Sequence, residues 1–137
     1  MSSACYDFLD SAPVIPVIAI ENLSHAVPLA EALVAGGIVN LEITLRTEHG
    51  LDAIRLINQQ VAGAHVGVGT VCNAREFDAA IDAGAQFVVS PGQSDALFER
   101  ALVTNIPFLP GAVTATEVIA AKEAGFQILK FFPAGTS

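Results

Sequence analysis

Six short runs rich in β-branched and aromatic residues recur along this chain at nearly even spacing, and that rhythm restricts the fold more than any other feature. The runs begin near Val14, Val39, His65, Gln86, Ile106 and Gln127, so each repeat takes about twenty to twenty-seven residues. Between them lie five stretches that read as helices, at about 23–35, 48–59, 74–83, 94–104 and 115–124. Helix starts carry chemical markers. Asn73 with Glu76, and Thr114 with Glu117, each place a capping side chain three residues before a carboxylate able to cap in return, and Ser94 is a third cap. Helix ends are marked by Gly36, Gly84 and Gly125, which can take the left-handed conformation that closes a helix. The segments DAGAQF at 82–87 and EAGFQI at 123–128 are near copies.

Strands alternating with helices predict parallel β/α units, either closed into a (β/α)8 barrel or left as an open doubly wound sheet. The segment VNLEITLRT favours the barrel. Val39, Leu41, Ile43 and Leu45 fall on one face of the strand, while Asn40, Glu42, Thr44 and Arg46 fall on the other. Helices cover both faces of an open parallel sheet, so an entire polar face fits better where it lines a barrel interior or mouth. The expected architecture is a single α/β domain over residues 1–137, a (β/α)8 TIM barrel of which this chain supplies about the first six units. A complete barrel takes at least about 200 residues. The chain therefore reads as truncated at its carboxyl terminus after the sixth strand, with edges on the first and sixth strands that invite completion by another chain.

Composition removes several classes of function. With 53% hydrophobic and 15% charged residues, the chain suits a globular core and not a disordered segment. A net charge of -8 with six scattered basic residues argues against a nucleic-acid surface. Acidic residues stand in MSSACYDFLD where a signal peptide would be positive, and APVIPVIAI is too short and too rich in proline to span a bilayer. A cytoplasmic, soluble protein without membrane partners is expected. Cys5 and Cys72 lie far apart with no CxxC spacing, so buried or idle thiols are expected, without a disulfide or zinc site.

The remaining question is why GFQILKFFPAG holds one of the two lysines inside an apolar run. By the period of two, Ile128, Lys130 and Phe132 share a face, and Lys130 lies near the carboxyl end of the last strand, where barrel active sites are built. Glu42 and Arg46 lie toward the same end of the second strand and Thr70 ends the third, in GVGTV, where Gly67 and Gly69 leave room for a ligand. Ser90, Pro91 and Gly92 follow the fourth strand, and Pro110 and Gly111 the fifth. Desolvation among apolar neighbours favours the uncharged amine, which can attack a ketone. The resulting Schiff base withdraws electrons, lets an adjacent carbon–carbon bond break and leaves an enamine. A carboxyl such as Glu42 can pass the protons, and the forked guanidinium of Arg46 suits a substrate carboxylate. On pattern alone, the bland alternative is that Glu42 and Lys130 form a structural ion pair, and Arg46 can instead be an ordinary surface cation.

Five segments in order, LEITLRT at 41–47, GVGTV at 67–71, FVVSPG at 87–92, PFLPGAVTATE at 107–117 and LKFFPA at 129–134, resemble the 2-dehydro-3-deoxy-6-phosphogluconate aldolases, also called 4-hydroxy-2-oxoglutarate aldolases. The resemblance covers almost the whole chain. It implies a class I aldolase on a (β/α)8 barrel, usually a homotrimer, that needs no cofactor or metal. Such an enzyme cleaves 2-dehydro-3-deoxy-6-phosphogluconate to pyruvate and glyceraldehyde 3-phosphate, with side activity on 4-hydroxy-2-oxoglutarate giving pyruvate and glyoxylate. It also implies that Lys130 forms the Schiff base with the 2-keto acid and that Glu42 is the acid/base. Arg46 and Thr70 would hold the pyruvyl carboxylate and oxygens, Pro91 would line the pocket, and Phe132 would pack on bound pyruvate. Lys122, on the last helix, has no such role. Family members continue through two further strands whose glycine-rich loops bind the substrate phosphate, and AGTS ends the chain before them. A catalytically inactive truncated barrel that assembles with other chains is the alternative. A metal-dependent aldolase is disfavoured because His25, His49 and His65 fall on a helix, on a loop or helix start, and at the beginning of a strand. A flavin or nicotinamide enzyme is disfavoured because AIENLSH lacks a GxGxxG turn.

Overall fold

A computed structural model describes the backbone of residues 3–136 and the side chains of residues 6–135. The runs read from the sequence form strands β1 (Val17–Ile18), β2 (Asn40–Thr44), β3 (His65–Gly69), β4 (Val88–Val89), β5 (Phe108–Leu109), β6 (Gly111–Ala112) and β7 (Lys130–Phe131). Pro110 has no N–H to give a ladder and divides one extended segment into β5 and β6. Counted that way, the six expected strands are present. All pair in parallel and in chain order, β1 to β5 in one ladder and β6 with β7 in the next. A doubly wound sheet reverses its strand order at a switch point, and no reversal occurs along this wall. The fold is a β/α-barrel wall.

Five helices follow the strands: α1 (Ala26–Ala35), α2 (Gly50–Gln60), α3 (Ala74–Asp82), α4 (Asp95–Thr104) and α5 (Ala115–Glu123). Their markers act much as the spacing predicts. Thr114 and Glu117 cap each other's backbone in a complete box. Asn73 accepts from the Glu76 N–H, but Glu76 returns its bond one residue earlier, to the Cys72 N–H. Ser94 caps the Leu97 N–H. Gly84 and Gly125 take positive φ as expected, whereas Gly36 does not. Gly37 makes that turn instead, at φ 88°.

Alternation along each strand separates two packing layers. Leu41, Ile43, Val66, Val68, Val88 and Phe108 point outward and are buried against the helices with Ile54, Phe77, Leu97 and Ala121. Phe87, Val89 and Leu109 point inward and pack with Phe8, Ile15 and Ile128. Phe8 belongs to an element without a sequence signal, a 3-10 helix at Ser3–Asp10. It closes the amino-terminal end of the barrel. Asn40 donates to the Phe8 carbonyl at 2.8 Å, the Tyr6 hydroxyl donates to the Phe108 carbonyl, and the Phe8 ring stands 4.8 Å from His65 and 4.9 Å from Phe87. Its amphipathic pattern is too short to declare itself, because these contacts exist only once the strands are assembled.

His65 carries a consequence for stability. Its Nδ1 faces Asn40 Oδ1 at 3.0 Å, and burial holds its pKa below the ordinary 6.5. A depressed pKa means that the unfolded chain binds the proton first, so stability is complete above the unfolded value and is lost as pH falls through the folded one. Urea midpoints should therefore drop as pH falls below the ordinary histidine value of about 6.5, and His65→Gln should flatten that drop. An equally steep drop in the variant would remove the ring from this role.

Candidate active site

The inward faces of β2 and β7 bring together the two residues that the sequence paired across 88 positions. Lys130 Nζ lies 3.3 Å from Glu42 Oε1. Glu42 sits in the middle of β2, bonded through its N–H to the Pro16 carbonyl and level with Val17 and Gly67 on the flanking strands. Lys130 opens β7, where its N–H bonds to the Pro110 carbonyl. The Glu42 side chain is 5% exposed and that of Lys130 22%, so the carboxyl is enclosed while the amine faces the mouth. Phe132, next on the same face, holds its ring centroid 5.0 Å from Nζ. Burial pushes the Glu42 carboxyl above its ordinary pKa, against the opposing charge and hydrogen bond of Lys130 and the weaker pull of Arg46.

Gly67 and Gly69 differ from expectation. Space at these positions was predicted to admit a ligand, yet protein groups use it. A Cβ on Gly67 would enter the Phe87 ring, and one on Gly69 would collide with the Glu42 carboxyl. Gly69 lets Glu42 lie along the wall toward the mouth, and Gly67 admits the Phe87 ring. Gly111 is similarly required, since a Cβ there would strike the Pro91 carbonyl.

The remaining predicted residues follow the carboxyl ends of β2, β3 and β4. Arg46 is exposed in the turn after β2, forms no ion pair among the described residues and is close enough for its charge to act on Glu42. Thr70 follows β3 with φ 64°, a left-handed conformation costly for a branched side chain, by about 1–3 kcal/mol, and a mark of functional loops. Pro91 is half-buried after β4. It also borders a cavity of about 170 Å³ lined by Val71, Cys72, Gly92, Gln93, Ser94 and Leu97, which reaches neither Glu42 nor Lys130. Ser90 is fully buried, and its hydroxyl donates to the Gly92 carbonyl. Lys122 is exposed on α5.

Of the two expected fates, buried or idle, Cys72 is not buried, for it is exposed. Partial desolvation, and then the charge of Glu76, push its pKa up and keep it in the unreactive thiol form. The Cys5 side chain lies outside the described residues. Among the described residues no three His, Cys, Asp or Glu side chains gather as a metal group, and no helix is long and apolar enough to cross a membrane.

Fold and site together define a class: a parallel β/α barrel with an amine and a proton-carrying carboxyl in contact at the carboxyl-terminal rim, the equipment of carbonyl addition. The family model for KDPG and KHG aldolase matches residues 6–137, and the chain belongs to that family. It is 49% identical over 126 residues to the 2-dehydro-3-deoxy-phosphogluconate aldolase of Dickeya dadantii (strain 3937), covering 92% of this chain and 59% of that one. The 2-keto-3-deoxy-6-phosphogluconate aldolase of Zymomonas mobilis ZM4, solved with 3-phosphoglycerate, superposes with a TM-score of 0.93 at 44% identity, covering 96% of this chain and 63% of that one. The KDPG aldolase of Legionella pneumophila, with pyruvate captured as a covalent carbinolamine, gives 0.89 at 41% identity, over 92% of this chain and 61% of that one. The chain thus spans about three fifths of the relatives it matches.

Proposed function

We propose that this chain carries the pyruvate-handling centre of a class I aldolase. Its substrates would be 2-dehydro-3-deoxy-6-phosphogluconate, cleaved to pyruvate and glyceraldehyde 3-phosphate, and 4-hydroxy-2-oxoglutarate, cleaved to pyruvate and glyoxylate. The observation that carries this is the 3.3 Å contact between Lys130 and an enclosed carboxyl whose affinity for protons is raised by burial. Glu42 takes the ammonium proton, and the free amine adds to the ketone carbon to give a carbinolamine. Loss of water leaves the iminium. A base then removes the proton of the substrate hydroxyl, the carbon–carbon bond breaks, the aldehyde departs, and the electron pair moves into the enamine. Protonation at carbon by Glu42 and hydrolysis return pyruvate and the amine. Arg46 and Thr70 hold the keto acid's carboxylate and oxygens, while Pro91 and Phe132 shape its pocket. The captured carbinolamine in the Legionella pneumophila relative supports the covalent route.

The proposed setting is cytoplasmic, in the Entner–Doudoroff pathway, with the protein acting as a homotrimer. Large apolar side chains at the surface, Val103, Ile119 and Phe131 among them, agree with assembly. Borohydride reduction in the presence of pyruvate should leave a covalent adduct on the peptide containing Lys130, with or without chelator. A folded protein that traps no adduct would support the inactive, assembling barrel instead, and activity lost only in chelator would point to a metal-dependent route.

A further inference from the structure

Thr44 belongs to the same inward row as Glu42 and has no part in the chemistry above. It is 0% exposed, and its Oγ1 finds no hydrogen-bond partner among the described residues. Buried hydroxyls are normally satisfied, and a valine would fill the same volume without that cost. The wall geometry suggests what the hydroxyl is kept for. Thr44 is level with Gly69 on β3, and the space over Gly69, where a Cβ would stand, is taken by the Glu42 carboxyl. Glu42 thus bends along its strand toward the level of Thr44, about 7 Å from its own position. The carboxyl has one hydrogen-bond partner among the described residues, Lys130 Nζ, which approaches Oε1.

That single bond fails during the proposed reaction. An ammonium group has three N–H donors, while an iminium nitrogen bonded to substrate carbon has one, turned by the planar C=N bond. The carboxyl must then aim at substrate carbon without the lysine that held it. We propose that Thr44 is a positioning residue for Glu42: its hydroxyl donates to the carboxyl once Lys130 is bound to substrate and so keeps Glu42 oriented for proton transfer. The proposal rests on the aldolase function above and adds a residue to it.

Thr44→Val and Thr44→Ser, compared with the unaltered protein, test it through two readouts. Borohydride trapping with saturating pyruvate reports adduct formation at Lys130, and exchange of the pyruvate methyl hydrogens in deuterated water reports proton transfer by Glu42. Thr44→Val should trap adduct as the unaltered protein does, yet exchange about 10- to 100-fold more slowly in kcat at nearly unchanged KM. The acid limb of its exchange profile should move to higher pH, because a carboxylate that loses a donor binds protons more tightly. Thr44→Ser, which keeps the hydroxyl, should restore both rate and limb. Normal exchange and an unmoved limb in Thr44→Val would overturn the proposal, as would equal impairment of Val and Ser, which signals packing alone. Absence of any adduct in the unaltered protein would instead overturn the aldolase function itself, and this role with it.

Discussion

Lys130→Arg is expected to abolish pyruvate trapping and to lower aldol cleavage by at least about 10,000-fold while leaving the protein folded. The arginine is more informative than an alanine because it separates the two uses of the contact with Glu42. A guanidinium keeps the positive charge and can still meet the carboxyl, so an ion pair that merely steadies the barrel would survive the exchange. It cannot shed its proton to become a nucleophile near neutral pH, so every step that passes through an adduct stops. The mouth is open enough for the change, since the Lys130 side chain is 22% exposed and Phe132 already receives a cation at 5.0 Å. The checks are mass analysis of the residue-130 peptide after reduction, cleavage rates, and a thermal melt close to that of the unaltered protein. A variant that retains a tenth of the cleavage rate would reduce the contact to a structural one.

Much of this arrangement could be read before any coordinates because local and tertiary signals agree in a β/α repeat. Each helix needs a start, an apolar face and a stop, and each strand needs alternation, so the rhythm of Asn73, Ser94 and Thr114 against Gly84 and Gly125 places the elements. The inward position of Glu42 and Lys130 followed from a period of two on strands whose carboxyl ends share one rim. What escaped prediction depends on contacts between distant segments. Nothing local in residues 3–10 tells that Phe8 will stack on Phe87 and pack against His65, and a 3-10 turn has little propensity signal of its own. The purpose of Gly69 was equally hidden. A missing side chain says that something approaches closely, without saying whether it is a substrate or the Glu42 carboxyl of the next strand. Thr44 appeared in the polar row but drew no role, since its lack of a partner is visible only in the packed wall.

Glu42→Gln separates adduct formation from turnover and should show the second large effect. Glutamine preserves the shape of the side chain over Gly69 and can still bond to Lys130, so geometry changes little. It cannot carry a proton between the substrate hydroxyl, the enamine carbon and water. Turnover should fall about 100- to 10,000-fold, while some borohydride-trapped adduct persists on Lys130. The pH dependence gives a sharper mark. The base form is the carboxylate, and burial raises its pKa above the ordinary value of 4.5, so activity of the unaltered protein should fall with acid through a limb above that value. In Glu42→Gln that limb should vanish from the residual rate, because the group that titrates is gone. A variant that keeps both its rate and its limb would assign the proton transfers to another residue and leave Glu42 as the counter-charge of a lysine.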